Sequence, residues 1–149
     1  MMNAPTLRLD IVSAEKEIFS GEVELLFVTG EMGELGISPG HSQLLTTLRP
    51  GYVRAILPGK KDDNEEVFYI SGGMLEVQPY IVSVLADDAK RADDIDEAAA
   101  IAAKEKAEKA LAGKMSAIDL AKATAEVAEI SAQIRAIQQL KRRARGGRS

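Results

Sequence analysis

The chain of 149 residues has no cysteine, no tryptophan and a single histidine, His41. Without thiols it can build neither a disulfide framework nor a thiolate metal site, and a cysteine nucleophile is excluded. One imidazole removes most metal centres and most histidine-based acid/base catalysis, since both need a second positioned group. No apolar run approaches the length of a membrane span, and Met1–Asp10 lacks a basic segment followed by an apolar one. Membrane insertion and secretion are therefore not expected. Neither lysine nor arginine occurs between Gly30 and Leu48, and this absence decides how the most glycine-rich part of the chain can be read.

That part is Gly30–Gly51, GEMGELGISPGHSQLLTTLRPG, with Gly30, Gly33, Gly36, Gly40, Gly51, two prolines and His41. Such glycine density marks a connector that takes unusual backbone angles or meets something closely, and connectors on a rigid scaffold usually bind. A phosphate cradle would need Gly-Lys-Ser/Thr opening a helix, and the dinucleotide fingerprint would need a different glycine spacing. Both fail. What remains is an acidic rim at Glu31 and Glu34, suited to a partner's polar or basic surface. His41 lacks a catalytic partner in the sequence, so a structural or interface role is expected of it.

The residues before Asp87 read as short strands. Leu7, Leu9 and Ile11 alternate with Thr6, Arg8 and Asp10, the period of a sheet with one buried face. Glu15–Gly21 reads as a turn and Val23–Val28 as one strand covered on both faces or sealed inside a sandwich. Tyr52–Leu57 and Val67–Ile70 flank a charged hairpin tip, Pro58–Glu66. Ser71-Gly72-Gly73 resembles no nucleophile elbow and reads as a tight turn or bulge. Met74–Val77 and Ile81–Ala86 complete an antiparallel sandwich or flattened barrel.

From Ala92 onward alanine, lysine and glutamate dominate, and Asp93, Asp94, Asp96 and Glu97 fit the negative first turn of a helix. Gly113–Ser116 separates it from a second helix capped by Ser116 or Asp119. Leu120, Val127 and Ile134, with Ala123, Ile130 and Ile137, make a heptad seam on the second helix. Alanines 99, 103, 107 and 110 are expected to face it, forming an antiparallel α-helical hairpin. Contacts between alanines bury little area, so the hairpin needs a further surface, its own sandwich or a partner. A packing-only appendage and a hairpin that switches between surfaces remain equally open.

Charge is unevenly spread. The formal net charge is -4, yet Lys141, Arg142, Arg143, Arg145 and Arg148 crowd the last nine residues, leaving the remainder at about -9. The basic tip has no interleaved aromatics and an acidic parent chain, which opposes nucleic-acid binding. It fits an acidic protein surface better, with the helix dipole adding to the preference.

Four ordered segments carry a resemblance: Leu9–Gly21 (LDIVSAEKEIFSG), the Gly30–Gly51 connector, Ser71–Pro79 (SGGMLEVQP) and Val84–Ala98 (VLADDAKRADDIDEA). Together, from about Leu9 to Lys141, they closely resemble the epsilon-subunit family of bacterial F-type ATP synthases. The resemblance implies an N-terminal antiparallel β-sandwich of about ten strands (residues 1–89) and a C-terminal α-helical hairpin (residues 90–149). It implies a non-catalytic rotor subunit on the cytoplasmic face of the bacterial inner membrane, partnered by the gamma subunit and the c ring. No metal, cofactor or nucleic acid is implied. Glu31, Glu34, Leu35 and Gly36 would meet the c ring, and His41 would meet gamma. An extended hairpin would run beside gamma into the catalytic head and block hydrolysis, bringing Arg135, Lys141, Arg142 and Arg143 to an acidic segment of a beta subunit, with alpha nearby. One departure stands out: the family's nucleotide motif reads Ile95-Asp96-Glu97-Ala98-Ala99-Ala100 here, with Ala99 in place of the arginine. Weak or absent ATP binding follows. A free-standing two-domain adapter is the competing expectation.

Overall fold

The computed structural model describes residues 4–59, 64–113 and 116–146, with side chains described as far as Arg142. Nine strands are present among these residues: β1 Leu7–Ser13, β2 Glu17–Val23, β3 Leu25–Gly30, β4 Gly33–Ile37, β5 Leu44–Ile56, β6 Glu65–Ile70, β7 Gly73–Val77, β8 Ile81–Ala86 and β9 Ala89–Arg91. A 3-10 turn, Ala92–Asp94, leads to α1 Glu97–Leu111 and α2 Ala117–Gly146.

The alternation of Leu7, Leu9 and Ile11 holds, and all three are buried. Other expectations give way. Glu15–Gly21 is mostly strand: β2 pairs antiparallel with β1 from Leu7↔Val23 to Val12↔Glu17. The real turn is shorter, closed by the Ser13 amide on the Lys16 carbonyl at 2.9 Å. Val23–Val28 spans two strands that change course at Glu24, whose amide bonds the Ile56 carbonyl.

The Gly30–Gly51 connector is largely sheet. It holds the tight β3–β4 turn at Glu31–Met32, all of β4, and the first half of β5. Gly33 and Gly40 do take positive φ as glycine-rich turns require, but Gly30 and Gly51 serve close packing between strands. A Cβ on Gly51 would lie 2.5 Å from the Thr29 Cβ, so at that crossing no other residue fits. Just there the β3–β5 register slips between Val28 and Gly30, a bulge that lets one long strand serve both layers. Leu44–Leu48 pairs with β7, and Gly51–Ile56 pairs with β6.

The layers are thus β2-β1-β8-β7-β5 and β4-β3-β5-β6-β9. Leu9, Ile11, Leu75, Val82 and Val84 from the first meet Leu26, Val28, Val53, Phe68 and Ile70 from the second in one core. One pair departs from the expected antiparallel arrangement, β1 and β8 running parallel from Arg8↔Ile81 to Ser13↔Ala86. Arg91 closes the far side, bonded to Glu66 at 2.6 Å and lying over the Phe68 ring. Of the charged hairpin tip, residues 60–63 lie outside the described residues.

In the helices, Asp96 caps α1 by accepting from the Ala99 amide at 3.1 Å, so Asp93 and Asp94 fall in the preceding turn instead. The Ser116 hydroxyl accepts from the Asp119 amide at 3.2 Å, which makes Ser116 the cap of α2. Ala123, Ile130 and Ile137 are buried as the seam predicts, whereas Leu120 is exposed. Opposite them α1 buries Ala100 and Ala107; Ala99, Ala103 and Ala110 face solvent. Alanines on every side of a helix carry no phase, so the facing set was not readable from spacing.

The further surface that the hairpin needs is the sandwich itself. Ala132 and Ala136, both fully buried, lie with Val67, Tyr69 and Ala92, flanked by Tyr52, Ile95 and Leu140. The two methyl-sized side chains, one helical turn apart, let α2 settle closely on the outer face of β5 and β6.

Candidate functional site

Three neighbourhoods gather the residues that could meet partners. The first is the β3–β4 edge. Met32 at its tip is 97% exposed. The Glu31 carboxylate accepts from the Thr47 hydroxyl, and Glu34, opposite Thr29 on β3, accepts from the Tyr52 phenol at 3.1 Å. Leu35 leans on the core, and Gly36 lies beside the Phe27 ring. Side chains offered to solvent here are therefore Glu31, Met32 and Glu34.

The second surrounds His41, in the segment between β4 and β5. The Gly40 amide holds that segment against the β7–β8 turn through the Pro79 carbonyl at 2.7 Å. The His41 Nδ1 lies 2.8 Å from the Ser42 carbonyl. Beside it runs an open groove of about 530 Å³ along Gln43–Leu45 and Glu76–Gln78. The outer face of β8 continues it with Ile81 and Leu85 exposed, as is Leu45 on β5, and Leu85 sits between Val12 of β1 and Met74 of β7. Sequence reasoning singled out His41 alone. The signal for the rest was there: Ile81–Ala86 is apolar at nearly every position, and a strand with one solvent face must then expose half of them.

The third is the hairpin. Its basic end is engaged within the chain: the Lys141 Nζ reaches the Glu97 Oε2 at 2.6 Å, and the Arg135 guanidinium donates to the Pro50 carbonyl at 3.4 Å. Arg142 is exposed, and the side chain of Arg143 lies outside the described residues. The Gln139 amide donates to the Tyr52 hydroxyl at 3.0 Å. Burial and then the Glu34 carboxylate push the Tyr52 phenol above its ordinary value. Burial beneath α2 pushes Tyr69 up to about 12, against a hydrogen bond from Gln133 that pulls it down. A groove of about 420 Å³ between α1 and α2 includes Lys90, Asp94, Asp96, Ala99, Glu126 and Gln133 in its lining. Among the described residues no group of three potential metal ligands occurs, and no helix is long and apolar enough to cross a membrane.

This layout of a sandwich carrying a docked helical pair has a known counterpart. Residues 6–92 match the family described as ATP synthase, Delta/Epsilon chain, beta-sandwich domain, and residues 93–138 match its long alpha-helix domain. The chain belongs to the ATP synthase delta/epsilon chain family. The ATP synthase epsilon chain of Legionella pneumophila (strain Lens) is 59% identical over 138 residues, 93% of this chain and 96% of that one. That of Nitrosococcus oceani is 55% identical over 140 residues, covering 94% and 98%. Among solved structures, a chain of the Euglena gracilis mitochondrial ATP synthase OSCP/F1/c-ring assembly superposes with a TM-score of 0.75 at 21% identity, covering 87% of this chain and 81% of its own. A chain of the Tetrahymena thermophila mitochondrial ATP synthase central stalk/c-ring gives 0.58 at 13% identity, covering 93% and 98%. The last two establish likeness of fold.

Proposed function

We propose that this chain is a non-catalytic central-stalk subunit of an ATP synthase, held at the cytoplasmic face of a bacterial inner membrane through the complex. Its sandwich grips the rotor and its hairpin restrains hydrolysis. The observation that carries this reading is how the hairpin is attached. It rests on Ala132 and Ala136, tied to the sandwich by an exposed polar contact from Arg135 to the Pro50 carbonyl, while Lys141 ties α2 only to Glu97 of α1. Burying alanine yields little free energy per residue, and surface ion pairs contribute at most about 1 kcal/mol. Such an attachment can be exchanged for another apolar surface at nearly equal cost.

The β3–β4 edge, with Glu31, Glu34, Leu35 and Gly36, is the surface proposed for the c ring. The face running from His41 to Leu85 is the one proposed for gamma. If so, tagged full-length chain expressed with the synthase subunits retains gamma and the c ring through purification. Recovery of the chain without either would contradict the reading.

The cations that the resemblance assigns to beta, with alpha nearby, are Arg135, Lys141, Arg142 and Arg143. Lys141 is borrowed by Glu97 while the hairpin is docked, and extension would free it. Replacing Lys141, Arg142 and Arg143 together with alanine should relieve inhibition several-fold at low salt, where exposed charges are least screened. Unchanged ATP hydrolysis would mean that the tail does not engage the head.

Nucleotide binding by the isolated chain should be weak. The groove between the helices presents one cation, Lys90, against Asp94, Asp96 and Glu126; Ala99 supplies no guanidinium fork, and the Asp96 carboxylate is committed to its cap. Equilibrium dialysis should find no ATP binding at micromolar concentrations, and micromolar affinity would overturn this expectation.

A further inference from the structure

The β3–β4 edge and the hairpin are joined by a continuous pair of hydrogen bonds. Gln139 on α2 donates to the Tyr52 hydroxyl at 3.0 Å, and that hydroxyl donates to the Glu34 carboxylate at 3.1 Å. A phenol has one proton to give, and the carboxylate, an acceptor only, takes it. The lone pairs that remain are what the Gln139 amide finds. A hydroxyl that donates to a charge is a stronger acceptor, so the two bonds reinforce each other.

The placement of Tyr52 comes from the bulge. The ladder between β3 and β5 is interrupted there, and the Thr29 hydroxyl fills in, lying 3.4 Å from the Tyr52 amide and 3.3 Å from its carbonyl. Tyr52 thereby lies between β4 on one side and α2 on the other, with its ring flanking the buried Ala132 and Ala136.

We propose that Tyr52 couples the acidic β3–β4 edge to hairpin docking, so that a cationic or hydrogen-bond-donating partner group that takes Glu34 loosens the hold on α2. Glu34 has two competing uses, and only the internal one supports Gln139. An isolated chain holds its hairpin down; a chain seated on a donor-rich surface holds it less tightly. By linkage the reverse is equally true, and a docked hairpin makes Glu34 a poorer ligand for that surface. This inference deepens the proposed function and takes its switching hairpin from it. The coupling itself is a property of the isolated chain and can be tested without any partner.

The test is amide hydrogen exchange of the full-length chain, followed in α2 from Ala132 to Leu140, with β1 and β8 as internal controls for the sandwich. Glu34→Ala should speed exchange in α2 roughly threefold to tenfold, with Glu34→Gln intermediate and the controls unchanged. Tyr52→Phe should speed it as much, and Glu34→Ala in the Tyr52→Phe background should add nothing. Gln139→Leu, which removes the amide at a half-buried position and keeps the helix, provides a second background in which the Glu34 effect should vanish. Equal acceleration by Glu34→Ala in all three backgrounds would overturn the coupling. So would exchange in α2 that ignores Glu34 altogether. Either result would leave retention of gamma and the c ring unaffected, which separates failure of this inference from failure of the proposed function.

Discussion

Replacing both Ala132 and Ala136 with leucine should release the hairpin from the sandwich while leaving each part folded. Both alanines are fully buried against Val67, Tyr69 and Ala92, so added side chains have no room. Overpacking of this kind costs about 1–3 kcal/mol at each site, and leucine is a good helix former, so α2 itself survives. Two such costs shift the docked-to-released ratio by roughly thirtyfold or more. Amide exchange from Ala132 to Leu140 should rise by that factor with β1 unaffected. In the assembled synthase the released hairpin should favour the extended state, and ATP hydrolysis should fall several-fold. A hairpin that stays protected would show that the alanine contact does not hold it.

Gly73→Ala should have the largest effect on the sandwich. Gly73 has φ of 143°, a conformation open in practice only to glycine, and forcing another residue into it costs about 1–3 kcal/mol. A Cβ there would also lie 2.1 Å from the Leu85 carbonyl oxygen, so the β8 backbone must move, at a further ~1–3 kcal/mol. Gly73 pairs with both Leu48 of β5 and Ala86 of β8, and the damage therefore reaches the core and the Leu85 face together. Chemical denaturation should show a loss of about 3 kcal/mol or more. A loss below about 1 kcal/mol would mean that the strands re-pair at little cost.

Much of this architecture could be read from residue patterns because period and composition are local. The β1 alternation, the change of composition at Asp87 and the α2 seam at Ala123, Ile130 and Ile137 needed no partner to be visible. The Gly30–Gly51 stretch failed because glycine signals both a loop and a close approach, and Gly51 at Thr29 is the second kind. Of the facing alanines expected on α1 only Ala107 holds, for want of phase. Glu31 and Glu34 could be recognised as an acidic rim from charge alone. Tyr52 could not, since its role depends on a bulge between β3 and β5 and on a helix 87 residues further along the chain. The exposed apolar face at Ile81 and Leu85 was legible in principle. Its signal is apolar residues at both parities of one strand, which leaves half of them outside whenever one face meets solvent.

On the proposed reading the sandwich serves the rotor while the hairpin restrains hydrolysis. The most direct measurement is ATP hydrolysis by the purified complex assembled with the full-length chain and with a chain ended after Ala92, where the sandwich-domain match ends. Both versions should assemble with gamma and the c ring, and the shorter one should hydrolyse ATP several-fold faster. Equal hydrolysis by two fully assembled complexes would contradict that reading.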